Sequence, residues 1–557
     1  METVLYRPNG TCVDFLGENA IVITENTLKS RLNSLFFYFF MLLRVRTMDD
    51  FKTKKRGRLL SYIAGAVCVV LVTVSFLCFF AAKWYAQVYG QLGFDSVLYT
   101  LFSDLNGMDS SLIHSFLKAV LPGTLIGSAA TCFVLLFRCR KQLSLPLGRL
   151  RLQLFPLHPV VAAVATVAVC GCLIHHAAVD VELDQYIKNL ATLSTIYEEE
   201  YRDPKSTQIT FPEKKRNLIY IYLESMEVGF LSTEENGALP YNTIPELHAL
   251  AQENVNFSHT EGVGGFRTVS GTTWTVAALV SQSSGVPLKT PPGIEGNDYG
   301  QEGEFLPGLT TIYDVLHENG YYQAVMFGSD AAFGGRLQYF SGHNVDMVYD
   351  IHTAKGSGFI PPDYMVWWGM EDEKLFAYAQ QELTKIAAQD QPFTFTLLTA
   401  DTHHIGGYVC QNCSNTYEEQ YENVFACSSR QVDQFIKWIQ QQPFYENTTI
   451  VIVGDHQSMD DAYIQRRVPQ GYIRTIYNCF INAAAVPVNT QNRQSCSMDL
   501  FPTTLAAMGC TIEGDRLGLG TNLFSDTPTL METMGYTAFN DELASSSRYY
   551  TQYFYFE

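Results

Sequence analysis

The sequence is short of basic residues. It contains 37 lysine and arginine residues against 56 aspartate and glutamate residues, so the formal net charge is −19. A protein that binds nucleic acid normally presents a basic face, so the excess of acidic residues argues against nucleic acid as a partner. A solvated acidic surface is the ordinary explanation of such a charge, and acidity also helps to attract metal ions.

Several local patterns are missing as well. The chain shows no signal-peptide pattern at its extreme N-terminus, no internal repeat and no low-complexity tract. Cys410 and Cys413 form a CxxC pair, but no second pair and no histidine pair follows at zinc-site spacing. We therefore expect a structural disulfide that involves Cys427, provided that this part of the chain lies outside the cytoplasm.

Long apolar runs are present, all within the first third of the chain. A spanning helix needs roughly 20 apolar residues, and three uncharged runs meet or nearly meet that length: Leu59–Ala82, Ala119–Phe137 and Leu152–Val179. The aromatic run Leu35–Leu43 is too short to span and is more typical of an interfacial or re-entrant piece. The sequence thus predicts three transmembrane helices.

Basic residues flank these runs unevenly. The loop 83–118 has few of them, whereas they cluster before the first run and between the second and third: Lys52, Lys54, Lys55, Arg56 and Arg58, then Arg138, Arg140, Lys141, Arg149 and Arg151. The positive-inside rule places both clusters in the cytoplasm. Everything beyond residue 180 is then predicted to lie outside, in a multi-pass protein of the plasma or inner membrane.

Short β-rich runs alternate with helical stretches from Lys215 onward. The predicted buried strands are Asn217–Leu223, Tyr321–Phe327, Phe393–Thr399, Thr449–Val453 and Cys479–Ala483. Helical patterns at Leu309–Asn319 and Gln431–Gln440 lie between them. Near-continuous apolar strands that alternate with helices indicate an α/β fold with a doubly wound, mostly parallel sheet.

Polar side chains follow three of these predicted strands. Glu224 follows the first, Asp401, His403 and His404 follow the third, and a GDHQ segment with Asp455 and His456 follows the fourth. Ligand sites in such sheets lie beyond the carboxyl ends of the strands. Carboxylate oxygen with imidazole suits a divalent metal ion. Each group alone is more often a helix cap or a core residue, and their joint placement is what predicts a site.

A glycine-rich segment with several threonines supplies a candidate nucleophile. In GVGGFRTVSGTTWTVAALVSQSSG, residues 262–285, a helix is expected to start near Gly271 and to end by Gly285. A hydroxyl at a helix start lies beside unpaired backbone N–H groups that favour a phosphate. Metal contact would lower the pKa of that hydroxyl and activate it. Helix capping is the simpler explanation of any one threonine.

The ordered set ES, GTTWT, TADTHH, GDH and DLFPTTL resembles the alkaline phosphatase and sulfatase superfamily, over roughly residues 215–525. Within that superfamily the chain is similar to the phosphoglycerol transferases, which include lipoteichoic acid synthase and phosphoglycerol transferase I. The run GTTWTVAALVSQSSGVPL and the segment THHIGGY are closer to the latter type. Several membrane spans before the catalytic domain are typical of this branch.

The resemblance implies a metal site and a covalent mechanism. Four residues match the family's metal ligands: Glu224, Thr275, Asp455 and His456. One divalent ion is implied, with Mn expected and Mg or Zn as alternatives. Thr275 would also attack phosphorus, although Thr272 and Thr273 stay open as the nucleophile.

The same resemblance implies residues on the substrate side. His403 matches a histidine of the family's H-x-P motif, although isoleucine replaces the usual proline here, and His404 is the rival candidate. Arg336 matches a basic residue expected to hold the substrate phosphate or headgroup, and Trp274 takes a position that is basic in some relatives. A histidine expected near residue 328 is absent, with Asp330 the nearest polar substitute.

The implied reaction moves a glycerol-phosphate headgroup from phosphatidylglycerol to a glycan, a glycolipid or a teichoic-acid chain and releases diacylglycerol. No C/S-x-P-x-R pattern for formylglycine follows Glu224, which favours phosphoryl over sulfate-ester chemistry. Phosphoethanolamine transfer, phosphodiester hydrolysis and a non-catalytic binding module remain alternatives.

Five divisions of the chain are expected. They are a cytoplasmic segment 1–56, a membrane domain 57–180, a linker 181–214 with an amphipathic helix, a catalytic domain 215–525 and an aromatic C-terminal segment 526–557 that packs on it.

Overall fold

The computed structural model describes residues 53–90, 93–103, 110–134, 143–147, 150–154, 159–290 and 304–555. The N-terminal helices are α1 (Thr53–Tyr89), α2 (Phe94–Phe102), α3 (Ser110–Cys132), α4 (Pro159–Asp180), α5 (Leu183–Ala191) and α6 (Ile196–Glu200). The remaining helices are α7 (Pro245–Glu253), α8 (Thr275–Ser284), α9 (Ile312–Glu318), α10 (Arg336–Gly342), α11 (Ile351–Gly356), α12 (Asp372–Ala387), α13 (Gln420–Gln440), α14 (Asp461–Arg467), α15 (Leu500–Ala507), α16 (Leu530–Met534), α17 (Tyr536–Ala544) and α18 (Arg548–Tyr553).

Twelve strands accompany these helices in the described residues. They are β1 (Leu143–Leu147), β2 (Leu150–Leu154), β3 (Ile209–Thr210), β4 (Asn217–Leu223), β5 (Tyr322–Phe327), β6 (Met347–Tyr349), β7 (Phe393–Leu398), β8 (Thr448–Gly454), β9 (Asn478–Ile481), β10 (Thr511–Ile512), β11 (Arg516–Leu517) and β12 (Gly520–Thr521). Residues from Val69 onward pack as one compact unit.

A six-stranded sheet forms the centre of the domain, in the order β6-β5-β7-β4-β8-β9. Its pairings are parallel except that β9 runs antiparallel to β8. Every residue of β4, β7 and β8 is buried, which explains why their sequences are almost continuously apolar. The predicted α/β fold with a mostly parallel sheet is confirmed.

Several predicted elements differ from the structure in their bounds: the helix predicted at Leu309–Asn319 spans Ile312–Glu318, and the helix expected to start near Gly271 begins at Thr275. Two further helices differ more. The helix predicted at Gln431–Gln440 begins earlier, at Gln420. The sequence did not indicate its first half, because those residues are buried on every side and show no amphipathic period. The single linker helix predicted over 183–203 is instead two helices, α5 and α6. The backbone N–H of Ser194 between them donates to the carbonyl of Ser546, which draws the chain out of helical geometry.

Three helices among the described residues are long and apolar enough to cross a membrane: Ile63–Tyr89, Leu112–Cys132 and Val160–Asp180. They overlap the three predicted runs but differ in their bounds. The first extends seven residues beyond Ala82, the second begins at Leu112 instead of Ala119, and the third begins at Val160, since Leu152 belongs to strand β2. Apolar side chains such as Ile126 and Val164 are 70% and 64% exposed, as expected for groups that face lipid. The predicted interfacial run Leu35–Leu43 lies outside the described residues.

The C-terminal aromatic segment packs on the domain. Phe539 and Leu543 of α17 and Tyr550 of α18 are buried in the same core as the strands. Tyr550 and Phe554 also contact Tyr197 of α6, with ring centroids 5.5 and 5.9 Å apart. This segment therefore packs between α6 and the α/β domain.

Candidate active site

Two neighbouring strands deliver the acidic and imidazole groups of the site. Glu224 follows β4, and Asp455 and His456 follow β8, whose last residue pairs in register with Leu223. All three side chains are at least 97% buried. One ligand atom from each lies within 4.8 Å of the others, so the structure brings these three groups together.

The donor atoms of this cluster are arranged for a cation. Oδ1 of Asp455 accepts from the N–H groups of Ser225 and His456, at 2.8 and 2.7 Å, whereas its buried Oδ2 has no hydrogen-bond partner in the described part of the chain. Nδ1 of His456 donates to the Gln457 carbonyl at 2.7 Å, which leaves Nε2 unprotonated and 3.4 Å from Asp455 Oδ2. These residues fit a divalent metal ion.

Burial makes the two carboxylates dependent on one another. Desolvation and the nearby charge of Glu224 raise the pKa of Asp455 well above its usual range. Burial also opposes the ionisation of Glu224, but the facing imidazoles of His456 and His403 outweigh it and lower the pKa of that carboxyl. A divalent cation between the two carboxylates would stabilise the ionised form of both.

Thr275 is the first residue of α8 and faces this cluster. Its Oγ1 lies 3.2 Å from Nε2 of His456 and 3.4 Å from Oε2 of Glu224. The rival hydroxyl of Thr272 is instead bound to the backbone of Val269 and is fully buried. Thr273 lines a different, polar recess. Geometry thus selects Thr275 among the three threonines.

A recess of about 480 Å³ opens beside these groups, and we call it the strand-edge recess. The side chains that matter for chemistry in its lining are Glu224, Thr275, Ser329, Arg336, Trp368 and His403. Glu224 supplies the only carboxylate among the described residues that line it.

Arg336 is a buried cation on the wall of the strand-edge recess. Its guanidinium donates to the Ser329 hydroxyl at 2.9 Å and to the carbonyls of Phe333 and Asp330, and it lies over the Phe327 ring. Burial lowers its pKa to about 10, so it stays charged at neutral pH. Because no carboxylate among the described residues forms an ion pair with it, its charge is available to an anion in the recess.

The two predicted histidines have different surroundings. His403 lines the strand-edge recess, and its Nδ1 donates to the His404 carbonyl at 2.7 Å, which leaves Nε2 as the proton acceptor. Burial lowers its pKa, so the ring is neutral at pH 7. His404 is absent from that recess, and both of its buried ring nitrogens have no partner in the described residues. His403 is therefore the better placed of the two.

Asp401 does not join the cluster predicted at the strand ends. Its Oδ1 accepts from the backbone N–H of Asp372, and Asp372 accepts in return from the N–H groups of Ala400 and Asp401. Burial raises the pKa of Asp372 to about 7, and burial together with the Asp372 charge raises that of Asp401 to about 10. This second pair of carboxyl groups holds protons rather than a substrate.

Three aromatic residues lie beside the site where α1 and α2 approach it: Trp274, which the sequence had indicated as a substrate-side residue but which lies outside the strand-edge recess, and Tyr89 and Tyr99, which the sequence had not indicated. Trp274 precedes Thr275, and its ring centroid lies 5.7 Å from that of Tyr99 in α2. The Tyr99 hydroxyl donates to the Gly334 carbonyl. Tyr89, at the end of α1, lies edge-on to His404 at 5.2 Å. Tyr89 and Tyr99 lie in apolar helices whose spacing is typical of ordinary membrane or core packing, so no signal in the sequence marks these two residues.

The cysteines beyond residue 400 do not form three pairs. Cys410 Sγ lies 3.6 Å from Cys427 Sγ and 3.7 Å from Cys413 Sγ, so the predicted partners are neighbours, but all three are present as thiols. Cys479, Cys496 and Cys510 are buried thiols elsewhere in the core.

Comparison with known proteins places this site in a family. The family model described as Sulfatase matches residues 216–510, more than half of the chain. Phosphoglycerol transferase I of Xanthomonas campestris is 33% identical over 256 residues, which cover 44% of this chain and 34% of the relative. That of Xanthomonas axonopodis is 33% identical over 328 residues, covering 57% and 44%. That of Escherichia coli is 31% identical over 268 residues, covering 47% and 33%.

The matched part therefore spans less than half the length of these relatives. Among solved structures, the lipoteichoic acid synthase LtaP of Listeria monocytogenes aligns with a TM-score of 0.44 at 19% identity, over 57% of this chain and 79% of its own. The integral membrane phosphoethanolamine transferase EptA of Neisseria meningitidis aligns with a TM-score of 0.48 at 13% identity, over 81% and 87%. By the match of its α/β domain to the family model, the chain belongs to the sulfatase family.

Proposed function

We propose that this protein is a membrane-anchored transferase that moves a glycerol-phosphate headgroup from phosphatidylglycerol to an extracytoplasmic acceptor. The observation that carries the proposal is the position of Thr275. Its hydroxyl stands at the start of a helix, within hydrogen-bonding distance of Glu224 and His456, and in the same recess as the buried cation Arg336. A nucleophile, a metal-ligand set and a phosphate-binding charge thus share one small space.

Glu224, Asp455 and His456, with Thr275, would hold one divalent metal ion. Mn is our first choice, with Mg and Zn as alternatives, because oxygen and imidazole donors suit all of these ions. Bound there, the ion would make the Thr275 hydroxyl more acidic and offset negative charge at phosphorus.

The chain's own groups bind and orient the diester. Arg336 and the N-terminal N–H groups of α8 attract the phosphate. The bond from Thr275 Oγ1 to phosphorus forms as the bond from phosphorus to the diacylglycerol oxygen breaks; the threonine loses a proton and diacylglycerol gains one. An acceptor hydroxyl then displaces Thr275 and gives up its proton, and the threonine regains one. The neutral Nε2 of His403 is placed to exchange a proton with a leaving or attacking oxygen.

The lining of the strand-edge recess favours glycerol over ethanolamine as the transferred headgroup. An ammonium group in a buried recess requires a carboxylate or a comparable partner. Glu224 is the one carboxylate in the described lining, and the proposed metal uses it. A neutral, hydroxyl-bearing headgroup has no such requirement. This agrees with the names of the relatives that are 31–33% identical, which are phosphoglycerol transferases.

We further propose that the catalytic domain lies on the outer side of the membrane. Tyr89, which contacts this domain, is the last residue of α1, and Tyr99 in the following helix α2 contacts the domain as well. The basic residues Lys54, Lys55, Arg56 and Arg58 lie at the opposite, N-terminal end of α1. The positive-inside rule puts those basic residues in the cytoplasm. The divisions 1–56, 57–180, 181–214, 215–525 and 526–557 follow from this arrangement, and a glycan, glycolipid or teichoic-acid acceptor would approach from outside.

The decisive experiment detects the covalent intermediate. Full-length protein is incubated with Mn and phosphatidylglycerol, digested, and analysed by mass spectrometry. We expect diacylglycerol and a glycerophosphoryl mass on the peptide that contains Thr275. Thr275→Ala should lose both, with transfer reduced at least about 1000-fold, as when a nucleophile is removed.

Thr273→Ala is the matched control, because Thr273 lies two residues away and lines another recess. It should retain the adduct on Thr275. An adduct on Thr272 or Thr273 would identify that residue as the nucleophile, and turnover of Thr275→Ala at the wild-type rate would indicate an enzyme that does not use Thr275. A wild type that forms no adduct and shows no turnover would support a binding module. Turnover of the wild type without an added acceptor would indicate a hydrolase.

A further inference from the structure

The candidate active site connects to a second cavity on its membrane side. This rim cavity, of about 690 Å³, shares Thr275, Val276, Phe333, Trp368 and His403 with the strand-edge recess. Its other side is formed by membrane helices, through residues of α1, α2 and α3. The reacting groups are thus accessible from the side on which the membrane helices stand.

The rim cavity opens in turn into a larger apolar space between the helices. This inter-helix cleft has a volume of about 1600 Å³, including its open mouth, and it shares four residues with the rim cavity: Tyr85, Tyr89, Thr100 and Leu112. Helices α1, α2, α3 and α4 all contribute to its walls, and the described residues that line it include no charged side chain. Its composition is that of a hydrocarbon-binding space.

The inter-helix cleft is open toward the surroundings of the helices. Leu101 and Ile113 line it and are 68% and 48% exposed. The four residues shared with the rim cavity form a neck between an open, apolar end and a polar, charged end. A molecule that extended from the inter-helix cleft through the rim cavity to the strand-edge recess would have an apolar part in the cleft and a phosphate in the recess.

We propose that the inter-helix cleft holds an acyl chain of the donor phospholipid and thereby selects lipid-linked over water-soluble diesters. The inference rests on the proposed function, and it adds a donor subsite in α1–α4 to the site in the catalytic domain. The cleft avoids the cost of drawing the lipid out of the bilayer, which rises with each methylene exposed to water. It also places the phosphate next to Thr275 before any bond changes.

The occupant is the donor rather than a lipid-linked acceptor for a geometric reason. The neck opens into the rim cavity, which Thr275 lines. The Oγ1 atom of Thr275 must meet the donor phosphorus first. A separate polar recess, of about 1220 Å³, lies beside Thr273, Asp180 and Asp461 and offers a hydrophilic molecule its own approach. The two openings share Tyr89 and Met459 at their junction.

The test compares two donors in the first half-reaction. Full-length protein is reconstituted with Mn, and formation of the Thr275 adduct is timed with dioleoyl phosphatidylglycerol vesicles and, separately, with deacylated glycerophosphoglycerol. Both donors deliver the same glycerophosphoryl group. Thr100→Phe narrows the neck, and Val97→Phe fills the cleft farther from the site. We expect the ratio of the lipid rate to the soluble-donor rate to fall at least tenfold in each variant.

Ile126→Phe is the matched control, because it adds the same ring to α3 at a position that is 70% exposed and lies outside every cavity on the path. Its rate ratio should equal that of the wild type. Unchanged ratios in both cleft variants would overturn the inference, as would equal losses with both donors, which indicate a structural role.

Normal adduct formation with slowed transfer to a lipid-linked acceptor would place the acceptor in the cleft and also overturn it. The failure of the proposed function looks different: the wild type would then form no Thr275 adduct from either donor, and the inference would fall with it.

Discussion

Glu224 and Asp455 form one pair of buried carboxylates at the carboxyl ends of the central strands β4 and β8, and Asp372 and Asp401 form another pair. Both pairs follow or abut the ends of parallel strands, and both include a carboxylate oxygen, on Asp455 and on Asp401, that is buried without a partner in the described residues. What faces them differs. An imidazole and a hydroxyl face the first pair, whereas backbone N–H groups and the partner carboxyl face the second.

The difference shows how two similar pairs acquire different chemistry. Two buried carboxylates cannot both ionise unless something offsets their repulsion. At Asp372 and Asp401 the offset is a retained proton, which requires nothing from solvent. At Glu224 and Asp455, Nε2 of His456, whose Nδ1 donates to the Gln457 carbonyl, and the Thr275 hydroxyl offer lone pairs, so a cation would complete the cluster. The groups around a carboxylate pair, rather than the pair itself, distinguish a metal site from a structural one.

The sharpest test of this comparison is to replace one carboxyl group of each pair with an amide. Asp455→Asn should lower transfer at least about 1000-fold, because it removes a charged ligand from the reacting centre, and it should abolish stoichiometric Mn binding. Asp401→Asn should keep bound metal and stay within about threefold of the wild-type rate. For each variant, mass spectrometry measures the bound metal, and formation of the Thr275 adduct measures the activity. Metal loss in Asp401→Asn would erase the distinction between the pairs.

Chelation should separate the two pairs in the unaltered protein. Removal of the divalent ion leaves Glu224 and Asp455 to repel each other, so activity should vanish and thermal stability should fall. Mn at about 100 times its dissociation constant should restore roughly 2.7 kcal/mol of stability. Calorimetry with and without EDTA provides the readout. The same titration on Asp455→Asn should show little change, and an equal response there would contradict the assignment of the ligands.

Alkaline pH should act mainly on the second pair. The folded-state pKa values of Asp372 and Asp401 are raised, to about 7 and about 10, so the folded protein holds protons that the unfolded chain releases. This stability is present at low pH and is lost as pH rises through those values, at up to about 1.4 kcal/mol per pH unit and proton. Urea unfolding of wild type and Asp401→Asn between pH 6 and pH 10 should diverge, with the wild type declining more steeply. Parallel curves would show that Asp401 is ionised in the fold.

The smallest expected effect concerns the residue that joins the two ligands of the first pair. The Ser225 hydroxyl donates to Oε1 of Glu224 at 2.8 Å, and its N–H donates to Oδ1 of Asp455. Ser225→Ala removes the hydroxyl bond alone and should weaken metal affinity roughly tenfold, the usual scale for a group that orients a ligand. Calorimetric Mn titration measures it, and restored affinity in Ser225→Thr would support an orienting role. Unaltered affinity in Ser225→Ala would show that Glu224 is held by other contacts.

The sequence was sufficient for the sheet and for the cluster around the first pair. Asn217–Leu223 and the strand near Thr449–Val453 are apolar and β-rich throughout, and polar groups directly follow both, so adjacency of parallel strands brings those groups together. Strand β6 was missed because three residues, Met347–Tyr349, carry no period. Asp401 was placed among the strand-end groups that were expected to converge on one site, because the sequence does not show that Asp372, 29 residues earlier, packs against it.

The membrane side of the site was beyond sequence reasoning for a different reason. Tyr99 contacts Trp274 and Tyr89 contacts His404 only because helices α1 and α2 dock on the domain. A helix that faces lipid and a helix that faces protein have the same apolar composition. The spans themselves were predicted from length and hydropathy, but which residues turn toward Thr275 depends on packing.

The contact of α6 with the last turns of the chain has a consequence for how the enzyme would work at a surface. Tyr197 packs against Tyr550 and Phe554, and Ser194 is hydrogen-bonded to Ser546, so the stretch that leaves α4 is fastened along the domain. On the proposed orientation, Thr275 then keeps one height above the bilayer. The acceptor, and not the enzyme, must then change position to bring its hydroxyl group to Thr275. Long or mobile acceptors should therefore be modified at the ends and branches that can approach the membrane to that distance.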